Sequence, residues 1–198
     1  MDTTLTPDEI LKIFKDCGAL LEGHFLLTSG LHSSQYLQCA LVLQYPPHAE
    51  TLCSLLSRPF QGEGIEVVAA PALGGIIVAH EVARALGARA VFTERAEGHM
   101  ALRRGFQISP GERTLVVEDV VTTGGSTREV VGVVEEQGGI VVGVGCLVDR
   151  SVGVHFEVKR HALLQLKIAN YPPEACPLCQ QRKPLVKPGS RQARPSGQ

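Results

Sequence analysis

Neither a long apolar run nor an excess of charge of one sign is present in this chain of 198 residues. No stretch approaches the roughly 18 apolar residues that a spanning helix needs, which excludes a helical membrane protein. Lysines and arginines number 19 against 20 acids, a formal net charge of −1. That balance lacks the basic bias expected of a nucleic-acid partner. The start, Met1-Asp2-Thr3-Thr4, has neither the basic nor the apolar region of a secretory leader. The six cysteines, at positions 17, 39, 53, 146, 176 and 179, are scattered, three of them in apolar surroundings where they read as small core residues. Together these features predict a protein of the reducing cytoplasm. No Gly-x-x-x-x-Gly-Lys-Ser/Thr occurs, so a Walker A loop is excluded. Gly143-Val144-Gly145 lacks a third glycine and lies inside an apolar run, which argues against a dinucleotide fingerprint. What is present is a hydrophobic share of 44%, enough for one well-filled core.

Thr6-Pro7-Asp8-Glu9 has the form of a helix start, with Thr6 as cap, Pro7 in the first turn and Glu9 completing a capping box. Ile10, Phe14, Cys17 and Leu21 then share one helical face. This helix and residues 25–43 predict a small N-terminal hood. Beyond it, strands are predicted over residues 65–70, 88–93, 113–118, 140–148 and 162–168, and helices over 75–86 and 127–137. Continuous Val/Ile runs mark strands buried on both faces. The expected fold is therefore α/β, a central parallel sheet flanked by helices. No internal repeat is present. From residue 172 the composition changes: six of the twelve prolines lie there, no acid follows Glu174, and Lys183, Lys187, Arg191 and Arg194 make the segment basic. The chain thus divides into 1–45 (helix and hood), 46–170 (core) and 171–198 (tail) within one structural domain, with the end of the tail from about Ser190 expected to be disordered.

Residues 115–126 read Leu-Val-Val-Glu-Asp-Val-Val-Thr-Thr-Gly-Gly-Ser. A buried strand runs into two adjacent acids, then into a Thr/Gly/Ser turn that opens a helix. Such a turn aims backbone N–H groups at one point in front of a helix N-terminus, which is a cradle for phosphate. Two carboxylates one step away suit vicinal hydroxyls, so the combination describes a ribose 5-phosphate site. In an open parallel sheet ligands bind at the C-terminal ends of the strands. Two further loops emerge there. Pro71-Ala72-Leu73-Gly74-Gly75 lets backbone approach an anion closely. Residues 94–105 carry Arg95, His99, Arg103 and Arg104 in a long polar connection.

At this level the chain resembles a known family. Glu118, Asp119, Val120, Val121, Thr122, Thr123, Gly124, Gly125 and Ser126 are similar to the phosphoribosyl pyrophosphate (PRPP) motif of type I phosphoribosyltransferases. His24 through Ser33, the pair Asp149-Arg150, and the tail from Cys176-Pro177-Leu178-Cys179 to Arg191 resemble orotate phosphoribosyltransferases. The resemblance implies a type I phosphoribosyltransferase fold and a magnesium-dependent glycosyl transfer from PRPP to orotate in pyrimidine biosynthesis. It implies a homodimer whose catalytic loop reaches the partner's site. The motif residues would bind the 5-phosphate and ribose. Ala72, Leu73, Gly74, Arg95, His99, Arg103 and Arg104 would bind pyrophosphate. Thr122 and Arg150 would bind orotate, with Tyr36 and Leu37 covering its ring. Mg²⁺ would be held mainly by PRPP rather than by protein side chains. Thr28 and Gly74 stand where better-known orotate enzymes have lysines, and Glu94 where they have arginine. A purine-type phosphoribosyltransferase and a non-catalytic PRPP-sensing regulator share the scaffold and remain alternatives. Cys176-x-x-Cys179 supplies half of a structural zinc site with no second pair, and the nearest upstream histidine, His161, is at an unusual spacing. The pair therefore reads as structural or incidental.

Overall fold

The computed structural model describes residues 4–27, 29–151 and 153–188. Thr28 and the end of the tail from residue 189, including Arg191 and Arg194, lie outside the described residues. Helix α1, Pro7–Asp16, starts as its capping box predicts: the Glu9 N–H donates to Thr6 Oγ1 at 3.3 Å, and the Thr6 N–H donates to Glu9 Oε2 at 2.8 Å. Gly18, at φ 67°, then takes the left-handed conformation that ends a helix. The helix therefore stops short of Leu21, which lies on a strand and is 40% exposed.

That strand, β1 (Leu20–Leu26), pairs antiparallel with β2 (His32–Leu37). Two helices follow, α2 (Ala40–Leu43) and α3 (Pro46–Ser57). The alternating unit then runs β3 (Val67–Pro71), α4 (Gly75–Leu86), β4 (Arg89–Ala96), β5 (His99–Leu102), β6 (Arg113–Val121), α5 (Gly125–Glu136), β7 (Ile140–Asp149) and β8 (Lys159–Gln165). These strands form one sheet in the order β5-β4-β3-β6-β7-β8, parallel except for the β4–β5 pair. In the tail, β9 (Asn170–Tyr171) adds to β2, and a short helix α6 (Pro177–Gln180) follows.

The sheet is buried on both faces because its strands alternate between two apolar clusters. Val68 and Ala70 of β3 and Leu115 and Val117 of β6 face a cluster with α1, α3 and α4; Val67, Ala69 and Val116 face another with Val130 and Val134 of α5. A period of two with both faces apolar is why these segments read as unbroken hydrophobic runs. Gly143, inside β7, is there for packing, since a Cβ would lie 2.6 Å from the Phe60 ring.

Two expectations need correction. Residues 94–105 are not an irregular loop, because residues 94–96 continue β4 and residues 99–102 fold back on it as β5. Glu97 (φ 50°) and Gly98 (φ 90°) make the two-residue turn, both with positive φ, that matches the twist of a hairpin. The last strand of the sheet begins at Lys159, three residues before the expected 162, and ends at Gln165. Its charged start is held by neighbours: Lys159 donates to Glu63 at 3.1 Å and Arg160 pairs with Asp149.

Candidate active site

The motif occupies the end of β6 and the start of α5. Glu118 and Asp119 lie on the last turn-ward part of the strand. Glu118 is only 8% exposed. Burial, reinforced by the neighbouring Asp119, pushes its carboxyl up to about 9; burial also raises Asp119. The Val120 N–H donates to Asp119 Oδ1 at 2.8 Å, which fixes that side chain at the base of the turn.

Gly124 then takes φ 73° and caps α5 without a side-chain bond. The first N–H groups of a helix have no partner within it, and they carry the positive end of its dipole. At α5 they open into a small concavity lined by Glu118, Val120, Val121 and residues 122–127. Thr122 and Thr123 are exposed on its rim. A side chain at 124 has no room, because a Cβ would meet Val154 Cγ1 at 2.9 Å and the Phe156 ring at 3.3 Å. Arg128, which the sequence did not single out, braces the turn. Its guanidinium donates to the Thr123 carbonyl at 3.0 Å and sits 5.4 Å from the Phe156 ring centroid. Its signal was available: it lies one helical turn after the glycine pair that opens α5.

The loop after β3 closes on the same carboxylates. A Cβ on Gly74 would lie 2.6 Å from Asp119 Oδ2, and one on Gly75 would lie 3.4 Å from Glu118 Oε1. Backbone at 74 can approach Asp119 this closely only as glycine. The Ala72–Leu73 peptide bond is cis, and Leu73 stands 84% exposed beside it. Two loops separated by more than forty residues thus face each other across the ends of adjacent parallel strands, with α4 and α5 on opposite faces of the sheet. This is the switch point at which open α/β sheets hold ligands.

Arg150 follows β7, and its N–H donates to the Val121 carbonyl at 2.8 Å, which brings it to the motif. Its guanidinium is half-buried, burial lowers its affinity for a proton, and its Nε has no hydrogen-bond partner among the described residues. A cation so placed suits a planar anion. Cys39, at the hood's inner edge, contacts the Asp119 carbonyl through Sγ at 3.8 Å, and burial pushes its thiol up. Asp149, by contrast, is engaged by Arg160 and by the Ser151 N–H at 2.8 Å.

The remaining expected residues lie on or next to the β4–β5 hairpin and on β2. Arg95 donates to Glu129 at 2.9 Å and to the Gly98 carbonyl at 2.6 Å; Arg104 is bidentate on Glu94 at 2.8 Å. His99 lines a groove beside α5 with Glu129 and Glu136. Arg103 is exposed. Tyr36 and Leu37 are successive strand residues and point to opposite faces. Tyr36 packs on Phe25 at 5.9 Å between ring centroids, whereas Leu37 packs into the core.

A concavity at a helix N-terminus, a buried acid pair and a glycine loop meet at one switch point, and the family model "Phosphoribosyl transferase domain" matches residues 48–162. Among curated relatives, the orotate phosphoribosyltransferase of Pelotomaculum thermopropionicum is 60% identical over 188 residues, covering 94% of this chain and 99% of its own. That of Desulforamulus reducens is 55% identical, over 93% of this chain and 97% of its own. The crystal structure of orotate phosphoribosyltransferase from Aeropyrum pernix matches with a TM-score of 0.65 and 27% identity, over 80% of this chain and 94% of that one. The chain belongs to the orotate phosphoribosyltransferases, type I members of the phosphoribosyltransferase family.

Proposed function

We propose that this chain is a pentosyltransferase that moves ribose 5-phosphate from PRPP to N1 of orotate, giving orotidine 5'-monophosphate and pyrophosphate. The observation that carries the choice of acceptor is Arg150, a half-buried guanidinium with an unpartnered Nε beside the ribose phosphate cradle. Backbone N–H groups of residues 123–126 and the Thr123 and Ser126 hydroxyls hold the 5-phosphate. Glu118 and Asp119 accept from the ribose 2- and 3-hydroxyls. Backbone of residues 72–74 holds pyrophosphate. Arg150 takes the orotate carboxylate and Thr122 makes a further contact.

The C1–O bond to pyrophosphate breaks and the N1 proton is released as the C1–N1 bond forms, through a transition state with cationic character on the sugar. No protein nucleophile is required. The chain's work is to orient the two reactants, exclude water and meet the developing charges. The acid pair lies next to the sugar, where its carboxyl oxygens face the growing positive charge. Mg²⁺ would be held chiefly by PRPP oxygens and would supply charge compensation for pyrophosphate; the oxygen donors of Glu118 and Asp119 are of the type such a hard cation takes. Arg95, His99, Arg103 and Arg104 are proposed to serve pyrophosphate from the β4–β5 hairpin, across the interface of a cytoplasmic homodimer. In that arrangement Arg95 and Arg104 leave Glu129 and Glu94.

The test is loss of orotate absorbance with PRPP and Mg²⁺, run beside adenine, hypoxanthine and uracil. Consumption of orotate alone is expected. Turnover of a purine, or none with any base, defeats the proposal.

A further inference from the structure

We propose that the hood holds one structural zinc ion through His24 Nε2, His32 Nδ1, Cys176 Sγ and Cys179 Sγ. In the sequence only the Cys-x-x-Cys pair was visible. The fold adds two histidines that lie about 150 residues upstream. His32 pairs with Leu26 across the β1–β2 ladder, and His24 sits two residues from Leu26 in the register irregularity between Glu22 and Phe25. Irregularities of this kind re-aim side chains. The two rings meet edge to face at 4.8 Å. The tail then returns to the same place. The Leu26 N–H donates to the Val186 carbonyl and the Val186 N–H to the His24 carbonyl, both at 2.8 Å, and α6 delivers the two thiols.

The four donor atoms all lie within 4.8 Å of one another. Cys176 Sγ is 3.5 Å and Cys179 Sγ 3.7 Å from His24 Nε2, and Cys179 Sγ is 3.3 Å from His32 Nδ1. Tetrahedral zinc with the usual Zn–N and Zn–S bond lengths requires N···S edges of about 3.5 Å. The N···N edge, 2.9 Å, is somewhat shorter than the roughly 3.3 Å of the ideal figure.

Protonation fits as well. His24 Nδ1 lies 2.9 Å from the Lys183 carbonyl, so that nitrogen carries the hydrogen and donates it. This leaves the Nε2 lone pair facing the other three donors, the arrangement in which a ligating histidine is oriented by its second nitrogen. His24, His32 and Cys176 are buried at 3%, 5% and 1% exposure, whereas Cys179 is exposed and offers the route of entry. Two imidazole nitrogens and two sulfurs suit zinc rather than magnesium or calcium. Four protein ligands leave no open position, so the ion clips the tail to the hood and takes no part in chemistry.

The experiment uses the full chain purified under reducing conditions without a metal tag. Elemental analysis should find one zinc per chain. Cobalt exchanged into the site should give the visible bands of tetrahedral Co²⁺ with thiolate charge transfer in the near ultraviolet. Cys179→Ser, at the exposed ligand, should lose most of the metal. Chelator should lower the melting temperature of the parent chain and leave that of Cys179→Ser unchanged. A folded parent chain that contains no zinc and takes up neither zinc nor cobalt overturns the site. So does a Cys176–Cys179 disulfide in mass spectra of that preparation. Iron or copper in place of zinc overturns the assignment of the ion.

Discussion

A carboxyl group that is 8% exposed and pressed against a second acid keeps its proton far above the usual range, and Glu118 does so up to about 9. The unfolded chain gives that proton up near 4.5, so between those values the unfolded state binds fewer protons than the folded one. The effect of this group on stability is therefore neutral at low pH and grows more unfavourable as pH rises through the window, by at most about 1.4 kcal/mol per unit. Glu118→Gln should match the parent chain in urea melts near about pH 4.5 and exceed it increasingly toward about pH 9. Parallel stability curves for the two proteins would show that Glu118 is ionised in the fold. Arg150 makes the other residue-scale prediction. Losing a charged hydrogen-bonding partner of a carboxylate is worth about 1.5–3 kcal/mol, so Arg150→Ala should raise KM for orotate about tenfold to a hundredfold with little change in KM for PRPP. Equal increases in both would move the base pocket elsewhere. The two residues differed in legibility. Glu118 stands in a recognisable motif, whereas the chemical state of its carboxyl depends on burial by loops that no sequence position announces.

Among the elements, α1 is the one most fully written in its own sequence. Thr6 and Glu9 satisfy each other's backbone donors, and Thr6→Ala should cost about 1 kcal/mol in urea unfolding with kcat unchanged. A loss of activity at saturating substrate would tie α1 to the site. Helix α4 was equally legible because Gly74-Gly75 and Gly87 mark its ends. The β4–β5 hairpin was not. Its charged residues read as a polar loop, and the signal that outweighed them was the Glu97-Gly98 turn, a dipeptide able to take positive φ at both positions. Charge hid β8 in the same way: Lys159 and Arg160 look like loop residues until Glu63 and Asp149 are brought beside them by the fold. Side chains satisfied by distant partners carry no local sign of it. The histidines that meet Cys176 and Cys179 escaped sequence reasoning for this reason.

For the molecule as a whole, the site is a property of how two halves of the sheet meet. β3 and β6 pair in parallel from Val67↔Thr114 onward, and that register sets Gly74 against Asp119. A ligand that binds only this arrangement stabilises the entire fold by mass action. PRPP with Mg²⁺ at about a hundred times its Kd should add about 2.7 kcal/mol, which for a chain of this size raises Tm by roughly 5–10 °C. Asp119→Asn should melt close to the parent chain when free and show little of that shift, with PRPP turnover crippled. A full shift in the variant would remove Asp119 from the ribose site.

The same pairing has a kinetic meaning. Gly74 and Asp119 come together only when β3 has found β6 across an intervening helix and hairpin, so the two loops face each other only once that strand pair has formed. A ligand that needs both loops then binds only chains in which the pair is made. Its presence should lengthen the life of the folded protein by slowing unfolding, while the rate at which denatured chains refold stays as it is without ligand.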